Sequence, residues 1–209
     1  MKRFSKKIFI FSLGVIGIFI LKKQLTPYYL GNVGYATKLS YFKDKQEEEN
    51  FNSVFFGSSR IYRQVNSVLF DSILEDRNLK SFNFATGGSS VPETYYQFDN
   101  FVHNQNNQNI KYAFIELQAL DGIGFRNVYT TRKSYWNNIK YLNFAINYII
   151  NSDLSQRKKS AYTKIYLGTF FYSFLDFKIL KNSYEIGDDI NEKRVGTNGF
   201  YPLEKDIKE

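Results

Sequence analysis

The sequence has no cysteine, and this absence removes several kinds of site at once. Disulfides, zinc–thiolate centres, iron–sulfur clusters and cysteine nucleophiles are all excluded because each needs a thiol. Histidine occurs only once, at His103, so no histidine-rich metal spacing is present. The sequence also has neither a Gly-Lys-Ser/Thr phosphate loop nor a dinucleotide-binding glycine pattern after a strand-like run. We therefore expect no metal and no cofactor.

Excess positive charge is scarce outside the N-terminus, although the formal net charge is +8. Six of the 28 basic residues fall within the first 23 positions, where there is no acidic residue. The remaining 186 positions carry 22 basic and 20 acidic residues. Such a mixture is typical of a solvated surface and not of a stripe that binds polyanions, so we predict no nucleic-acid partner.

The longest apolar run lies at the N-terminus, in "MKRFSKKIFIFSLGVIGIFILKKQ". As a helix, the 14 residues 8–21 would reach about 21 Å, short of a hydrocarbon core of about 30 Å, but the flanking lysine stems lengthen the span. The following "KKQLTPYYL" is a poor cleavage site, so an uncleaved anchor in residues 1–24 is favoured over a cleaved signal peptide. With the basic head in the cytoplasm, we predict a single-pass membrane protein whose domain faces the periplasm or the cell exterior.

A parallel α/β sheet is predicted after a linker and charged helix in residues 25–51. The runs "SVFFG", "SFNFATGG" and "YAFIELQ" begin at positions 53, 81 and 112. They are β-prone and do not alternate, as in strands buried on both faces. The intervals between them have helical spacing, which favours strand–helix–strand units.

Residues 134–183 are predicted to be mainly helical, as two amphipathic helices separated by "SDLSQRK". Their aromatic stripes indicate packing in a core or lid and not a cofactor site. A second membrane segment over 161–180 is disfavoured by its charged residues, which are Lys164, Asp176 and Lys178. The tail after residue 183 is polar and is predicted to be a loop.

A polar or glycine-containing loop follows each predicted strand: "GSSR", "TGG" and "QALDG". The carboxyl ends of parallel strands share one edge of the sheet, where ligands collect. A serine at a strand-to-helix turn has an exposed hydroxyl, and the following helix offers amide donors to an oxyanion. Gly-Ser-Ser is also a common turn with a serine cap, and on spacing alone this structural interpretation is favoured over a nucleophile.

Three segments, "VFFGSSRIYRQVNSVLFD", "FNFATGGSSVPETYY" and "KYAFIELQALDG", together resemble the SGNH/GDSL hydrolases. The similarity is greatest to the membrane-anchored bacterial branch related to cell-surface polysaccharide acyl-transfer proteins. On the family's Gly-x-Ser block, Ser59 matches the nucleophile and Ser58 takes the place often held by Asp. On its Asn-x-Gly-x-x-Gly block, Gly88 matches the oxyanion-hole glycine and Asn83 the loop-stabilising asparagine. Ala85 departs from this block at the middle glycine.

The resemblance implies that residues 52–209 form a three-layer, flavodoxin-like domain, here incomplete with about three strands. The family's third block has an oxyanion-hole Asn. Gln118 could supply that amide here, or could be a strand-end glutamine in solvent, and Asp121 resembles a helix cap. The family's base comes from a C-terminal Asp-x-x-His, which this sequence lacks. His103 follows Asp99 by four residues, as in a pair on a helix surface. We expect either a fragment or a chain completed by a neighbouring polypeptide.

Three functions remain open. The resemblance implies a serine esterase or O-acyltransferase that acts through Ser59 on acyl esters of cell-envelope glycans. The alternative is a non-catalytic, membrane-anchored envelope module that binds a glycan or a partner protein. A purely structural surface protein is the third. Glu116, in the third strand-like run, is predicted to be a paired or edge carboxylate and not a catalytic acid.

Overall fold

The computed structural model describes residues 2–25, 34–104, 109–118, 138–175 and 195–202. Within these ranges the chain is a mixed α/β protein. The strands are β1 (Ser53–Phe56), β2 (Ser81–Asn83) and β3 (Tyr112–Ile115). The helices are α1 (Lys2–Leu25), α2 (Tyr35–Glu49), α3 (Ser59–Gln64), α4 (Ser67–Ile73), α5 (Glu93–Asn104), α6 (Ile139–Ile150) and α7 (Gln156–Leu175), with a 3₁₀ turn at Glu75–Arg77.

The sheet is parallel, with β1 between β2 and β3. In this register Ser53 lies opposite both Ser81 and Tyr112. Parallel neighbours need crossover connections, which α3 and α4 provide between β1 and β2, and α5 provides between β2 and β3. The predicted parallel sheet is therefore confirmed.

Polar caps set where the helices around the sheet begin. The Ser58 hydroxyl accepts a hydrogen bond from the Arg60 amide at 3.3 Å and starts α3. The Asn66 side chain accepts from the amides of Val68 and Leu69 and starts α4. Such caps satisfy amide donors that the first helical turn leaves unpaired.

The two faces of β1 enter different aromatic clusters. Val54 and Phe56 are fully buried on one face, where Phe56 stacks on Phe84 at 5.2 Å between ring centroids. Rings from α2 and α5 complete this cluster. On the other face Phe55 stacks on Phe114 of β3 at 4.8 Å and meets Phe70 of α4 edge-on. Helices thus pack against both faces of β1, and each buried phenylalanine contributes about 1.5–3 kcal/mol.

The expectation that all three strands are buried on both faces is wrong for β3. Tyr112, Phe114 and Ile115 are 49%, 41% and 38% exposed. Within the described part of the chain, β3 pairs with β1 only and forms one edge of the sheet. β2 is also an edge strand but is buried, because rings of α2 and segment 195–202 pack against it. The exposure of β3 therefore depends on which elements cover its faces and not on edge position alone.

A buried lysine joins α2 to the loop after β2. Lys38 has no exposed surface, and its Nζ donates to the carbonyl oxygens of Asn83, Ala85 and Gly199 at 2.8, 2.6 and 2.7 Å. It also lies 4.0 Å from the centre of the Tyr62 ring. Burial lowers the pKa of Lys38 well below its usual range. The three carbonyls use all three hydrogens of an ammonium group, so they oppose that effect.

Segment 195–202 docks against β2, although the sequence predicts a polar loop there. Val195 is buried in the core cluster, and the Asn198 carbonyl accepts hydrogen bonds from the Asn83 amide and the Ser67 hydroxyl. Gly199 has a φ of +82°, and a Cβ at this position would collide with the Asn83 backbone. The close approach therefore requires glycine.

α6 and α7 correspond to the helical expectation for residues 134–183, of which 134–137 and 176–183 lie outside the described residues. The two helices pack through a small cluster of their own, made of Leu142, Ala145, Ile149 and Tyr166. α6 also contacts α5, where Tyr96 lies 5.4 Å from Phe144 between ring centroids.

α1 contains an apolar span, Phe4–Lys22, of 19 residues with a mean hydropathy of 2.0. At 1.5 Å per residue this span reaches about 28 Å, close to the hydrocarbon thickness of a bilayer. The span Phe4–Lys22 is longer than the apolar run 8–21 because α1 continues on both sides of that run. The helix fits either a membrane anchor or a signal sequence.

We predict that Lys38→Met lowers the free energy of unfolding by about 3 kcal/mol or more, because it leaves three buried carbonyls without a donor. Folding lowers the pKa of Lys38. At pH values between that folded-state pKa and about 10.4, the unfolded chain therefore carries this proton more often than the folded chain does. Lysine-dependent stability therefore rises with pH in this window. Urea unfolding should show a larger gap between wild type and variant near pH 10 than near pH 7.

The matched control is Lys45→Met, which alters an exposed lysine on the same helix. It should leave unfolding nearly unchanged. An equal loss of stability in both variants would contradict the structural role given to Lys38.

Candidate functional site

The loops that follow the three strands meet at one edge of the sheet. The Thr86 amide, after β2, donates to the Gly57 carbonyl, after β1, at 3.0 Å. The Glu116 amide, after β3, donates to the Phe56 carbonyl at 2.9 Å. The loop after β1 is therefore held on both sides, as the central position of β1 requires.

The Glu116 carboxylate is the centre of this rim. Its side chain is only 10% exposed, and it accepts hydrogen bonds from the Ser58 amide at 2.6 Å and from the Gln118 side-chain amide at 2.9 Å. The Arg60 guanidinium lies 2.6 Å from its other oxygen. The expectation of a paired carboxylate is confirmed, although Glu116 directly follows β3 and is not within it.

Electrostatics make Glu116 a poor base. Burial acts to raise its pKa, but hydrogen bonds from Ser58 and Gln118 and the charge of Arg60 outweigh this effect, so the pKa lies below its usual range. A carboxylate whose proton affinity is lowered and whose oxygens already accept hydrogen bonds is suited to holding a loop in place.

Gly57 is required by this arrangement. A Cβ at residue 57 would lie 2.5 Å from Cγ1 of Ile61 and 2.8 Å from Oε2 of Glu116. A larger residue would therefore have to displace both the Ile61 side chain and the carboxylate that binds the Ser58 amide. The glycine in "GSSR" thus serves a close approach between two loops.

The two serines after Gly57 have different surroundings. Ser58 is 9% exposed, caps α3 and contacts Glu116 through its amide and its hydroxyl. Ser59 is the first residue of α3 and is exposed. Of the pair, Ser59 is the one that a ligand in solvent can approach.

The loop after β2 is fixed by Asn83. Its side chain donates to the carbonyls of Ile61 and Val65 at 3.0 and 2.9 Å and accepts from the Ala85 amide at 3.0 Å. A turn follows, in which Gly87 and Gly88 are exposed and Gly88 has a φ of +73°. That φ favours glycine, since a side chain would strain it.

Gln118 acts as a brace between the rim and α5. Its side-chain nitrogen is committed to Glu116, and its backbone amide donates to the Tyr95 hydroxyl at 3.2 Å. Asp121, the suggested helix cap, lies outside the described residues.

His103 lies far from this rim. It is exposed near the C-terminal end of α5, and its Nδ1 is 2.9 Å from the Asp99 carbonyl and 3.3 Å from the Asp99 carboxylate. The expected helix-surface pair is therefore confirmed. Tyr95 of α5 contacts Gln118 at the rim, and α5 is a crossover helix that runs back toward the amino ends of the strands. His103 is therefore about 12 Å along the helix from Tyr95. In the described ranges no group of three His, Asp or Glu side chains could hold a metal ion.

Sequence reasoning missed Arg60 and Tyr95 as parts of this rim. Arg60 directly follows the two serines, and Glu116 ends the neighbouring strand run, so opposite charges at the ends of adjacent parallel strands were a usable signal. Tyr95 had no such signal, because its contact with Gln118 depends on the rotation of α5 about its axis.

We predict that Glu116→Gln lowers the free energy of unfolding by about 1–3 kcal/mol at neutral pH. Both carboxylate oxygens now accept hydrogen bonds, and the NH₂ group of glutamine would place a donor against one of these donors. The pKa of Glu116 is lowered on folding, so its contribution is present above about 4.3 and is lost as pH falls through the folded-state pKa. Chemical unfolding should show the gap between wild type and variant closing in acid.

Glu75→Gln, at an exposed position, is the control and should have no comparable effect at either pH. A gap for Glu116→Gln that persists unchanged in acid would show that the loss is steric and not electrostatic.

Comparison with known proteins adds no family to this description. No family model, curated protein or solved structure matches the chain. What can be assigned to it rests on the three motif segments and on the geometry of the rim that they form.

Proposed function

We propose that this chain is an SGNH-type serine esterase or O-acyltransferase that acts on acyl esters of cell-envelope glycans. The observation that carries the proposal is the exposed Ser59 on a rim where the loops after β1, β2 and β3 are hydrogen-bonded together. These loops carry the three motif segments that resemble the family.

In this proposal the domain is a three-layer, flavodoxin-like sheet. The strand order β2-β1-β3 agrees with the first three positions of that topology, 2-1-3-4-5. Its ligands bind beyond the carboxyl ends of the strands, which is where Ser59 lies.

The proposed reaction begins when the Ser59 oxygen attacks the ester carbonyl. The serine proton passes to a base, and the amides of Ser59 and Gly88 donate to the oxyanion. Collapse of this intermediate breaks the ester bond, and the departing sugar oxygen takes the proton. Water then releases the acyl group in an esterase, or another hydroxyl takes it in an acyltransferase.

The base is proposed to come from a complementing polypeptide. Two observations support this: His103 lies toward the other end of the sheet, and Glu116 has a lowered pKa and filled acceptor positions. The exposed apolar side chains of β3 offer a sheet edge on which such a polypeptide could add a strand.

We further propose that α1 remains attached and anchors the domain at the outer side of the cell membrane as a single-pass helix. The apolar span Phe4–Lys22 and the basic residues that precede it support this orientation.

A non-catalytic envelope module is the second candidate. The position of His103 favours this candidate. The described rim has an exposed serine, but His103 lies on the surface of α5 beside Asp99 and cannot take the serine proton there. Such a module would use the same rim to bind a glycan or a partner protein.

We predict that the full-length protein in detergent micelles reacts with a biotinylated fluorophosphonate when imidazole is added to replace the base of the proposed complementing polypeptide. Ser59→Ala should lower this labelling by at least about a hundredfold. The hydroxyl of residue 59 is the attacking group in the proposal, so its loss removes the covalent adduct. Labelling is read on a blot, with circular dichroism to confirm that the variant is folded.

Ser72→Ala removes another exposed serine hydroxyl, one that donates to the Leu69 carbonyl in α4, and should label like wild type. Absence of labelling in the wild type even with imidazole present would favour the binding module. Labelling that persists in Ser59→Ala would refute the role of Ser59.

A further inference from the structure

A cleft lies beside the turn between α6 and α7, outside the loops that form the rim. It has a volume of about 640 Å³, within the range usual for small-molecule and glycan sites. The last turns of α6 supply Phe144, Asn147 and Tyr148, and the turn supplies Asn151, Ser152 and Asp153. The cleft thus lies on the helical part of the chain, which the motif segments do not include.

The lining has the chemistry that suits an uncharged sugar. Phe144 and Tyr148 offer aromatic surface, whose electron-rich face attracts the weakly positive C–H groups of a pyranose ring. Asn147, Asn151 and Asp153 offer amide and carboxylate groups that can donate to and accept from neighbouring hydroxyls.

Charge selects among glycans at this cleft. Among the seven lining residues that the structure describes, four are polar, Asp153 is acidic and none is basic. The nearby Lys159 ammonium is bound to the Ile150 carbonyl at 2.7 Å. A phosphate or uronate group within this lining would meet the like charge of Asp153, so anionic chains are disfavoured. An apolar lipid is disfavoured as well, because it would cover the polar groups without replacing their hydrogen bonds with water.

A short series of contacts connects the cleft to the rim. The Tyr148 ring lies 5.6 Å from the Tyr95 ring between centroids, in an edge-to-face arrangement. The Tyr95 hydroxyl accepts from the Gln118 backbone amide, and the Gln118 side chain donates to Glu116. Glu116 in turn binds the Ser58 amide, next to Ser59.

We propose that this cleft binds a neutral oligosaccharide and holds the chain whose acyl ester is presented to Ser59. The second half of this statement rests on the proposed function, whereas binding in the cleft does not. Tyr148 and Asn147 are the residues that confer affinity, and Asp153 confers the preference for an uncharged chain.

The test measures binding of chitotetraose to the full-length protein by calorimetry and by saturation-transfer NMR, in a detergent without a sugar headgroup. Wild type is expected to bind the neutral tetrasaccharide and to bind tetragalacturonate more weakly. Tyr148→Ala should weaken binding by about fivefold to tenfold, since it removes the stacking surface. Asn147→Ala, at an exposed position, should weaken it without disturbing the fold. Asp153→Asn should reduce the difference in affinity between chitotetraose and tetragalacturonate.

Tyr172→Ala is the matched control, because Tyr172 is an exposed tyrosine of α7 that does not line the cleft. It should bind like wild type, as should Ser59→Ala. The proposal would be overturned if wild type failed to bind chitotetraose or preferred tetragalacturonate. It would also be overturned if Tyr148→Ala and Asn147→Ala both bound chitotetraose as tightly as wild type. If the wild type binds chitotetraose but is not labelled by the fluorophosphonate in the presence of imidazole, the proposed enzyme is overturned and the cleft assignment stands.

Discussion

The ammonium group of Lys38 is the interaction on which the described fold depends. It binds carbonyls from the loop after β2 and from Gly199, two parts of the chain more than 100 positions apart. A buried cation is costly unless its hydrogens are all used, and three carbonyls together with the Tyr62 ring meet that condition. Because the same carbonyls need a donor, cation and loop stabilise each other. The loop that carries Gly88 is therefore positioned by a residue on α2.

A second buried charge performs the same task with opposite sign. Glu116 fixes the loop after β1 by binding the Ser58 amide, and Gly57 makes room for its carboxylate. The rim is thus held by Lys38, which donates to three backbone carbonyls, and by Glu116, which binds the Ser58 amide and the side chains of Gln118 and Arg60. Ser59, the residue after Ser58, is exposed, and Glu116, which holds this loop, is a poor base. The arrangement presents a hydroxyl on a rigid frame, and the proposed chemistry requires a proton acceptor from elsewhere.

Much of the fold could be predicted from local pattern. The strand-like runs beginning at 53, 81 and 112 are apolar and β-prone, and the intervals between them are long enough for crossover helices, so a parallel sheet follows. The exposure of β3 could not be predicted, because a continuous apolar run does not show which distant elements cover the faces of the strand, and the buried β2 is an edge strand as well. The docking of segment 195–202 was missed for a related reason, since its contacts with Asn83 and Ser67 are separated from it by more than 100 residues.

The sequence by itself determined the apolar N-terminal helix, the order of strands and helices, and the glycine and serines at the end of β1, because each depends on residues close together in the chain. Only the tertiary structure decided which serine is exposed, which side chain fills the space beside Gly57, and that His103 lies away from the rim. It also decided that residues of α6 and its turn enclose a cleft next to Tyr95. These properties depend on helix rotation and on contacts between distant segments, which local periodicity does not specify.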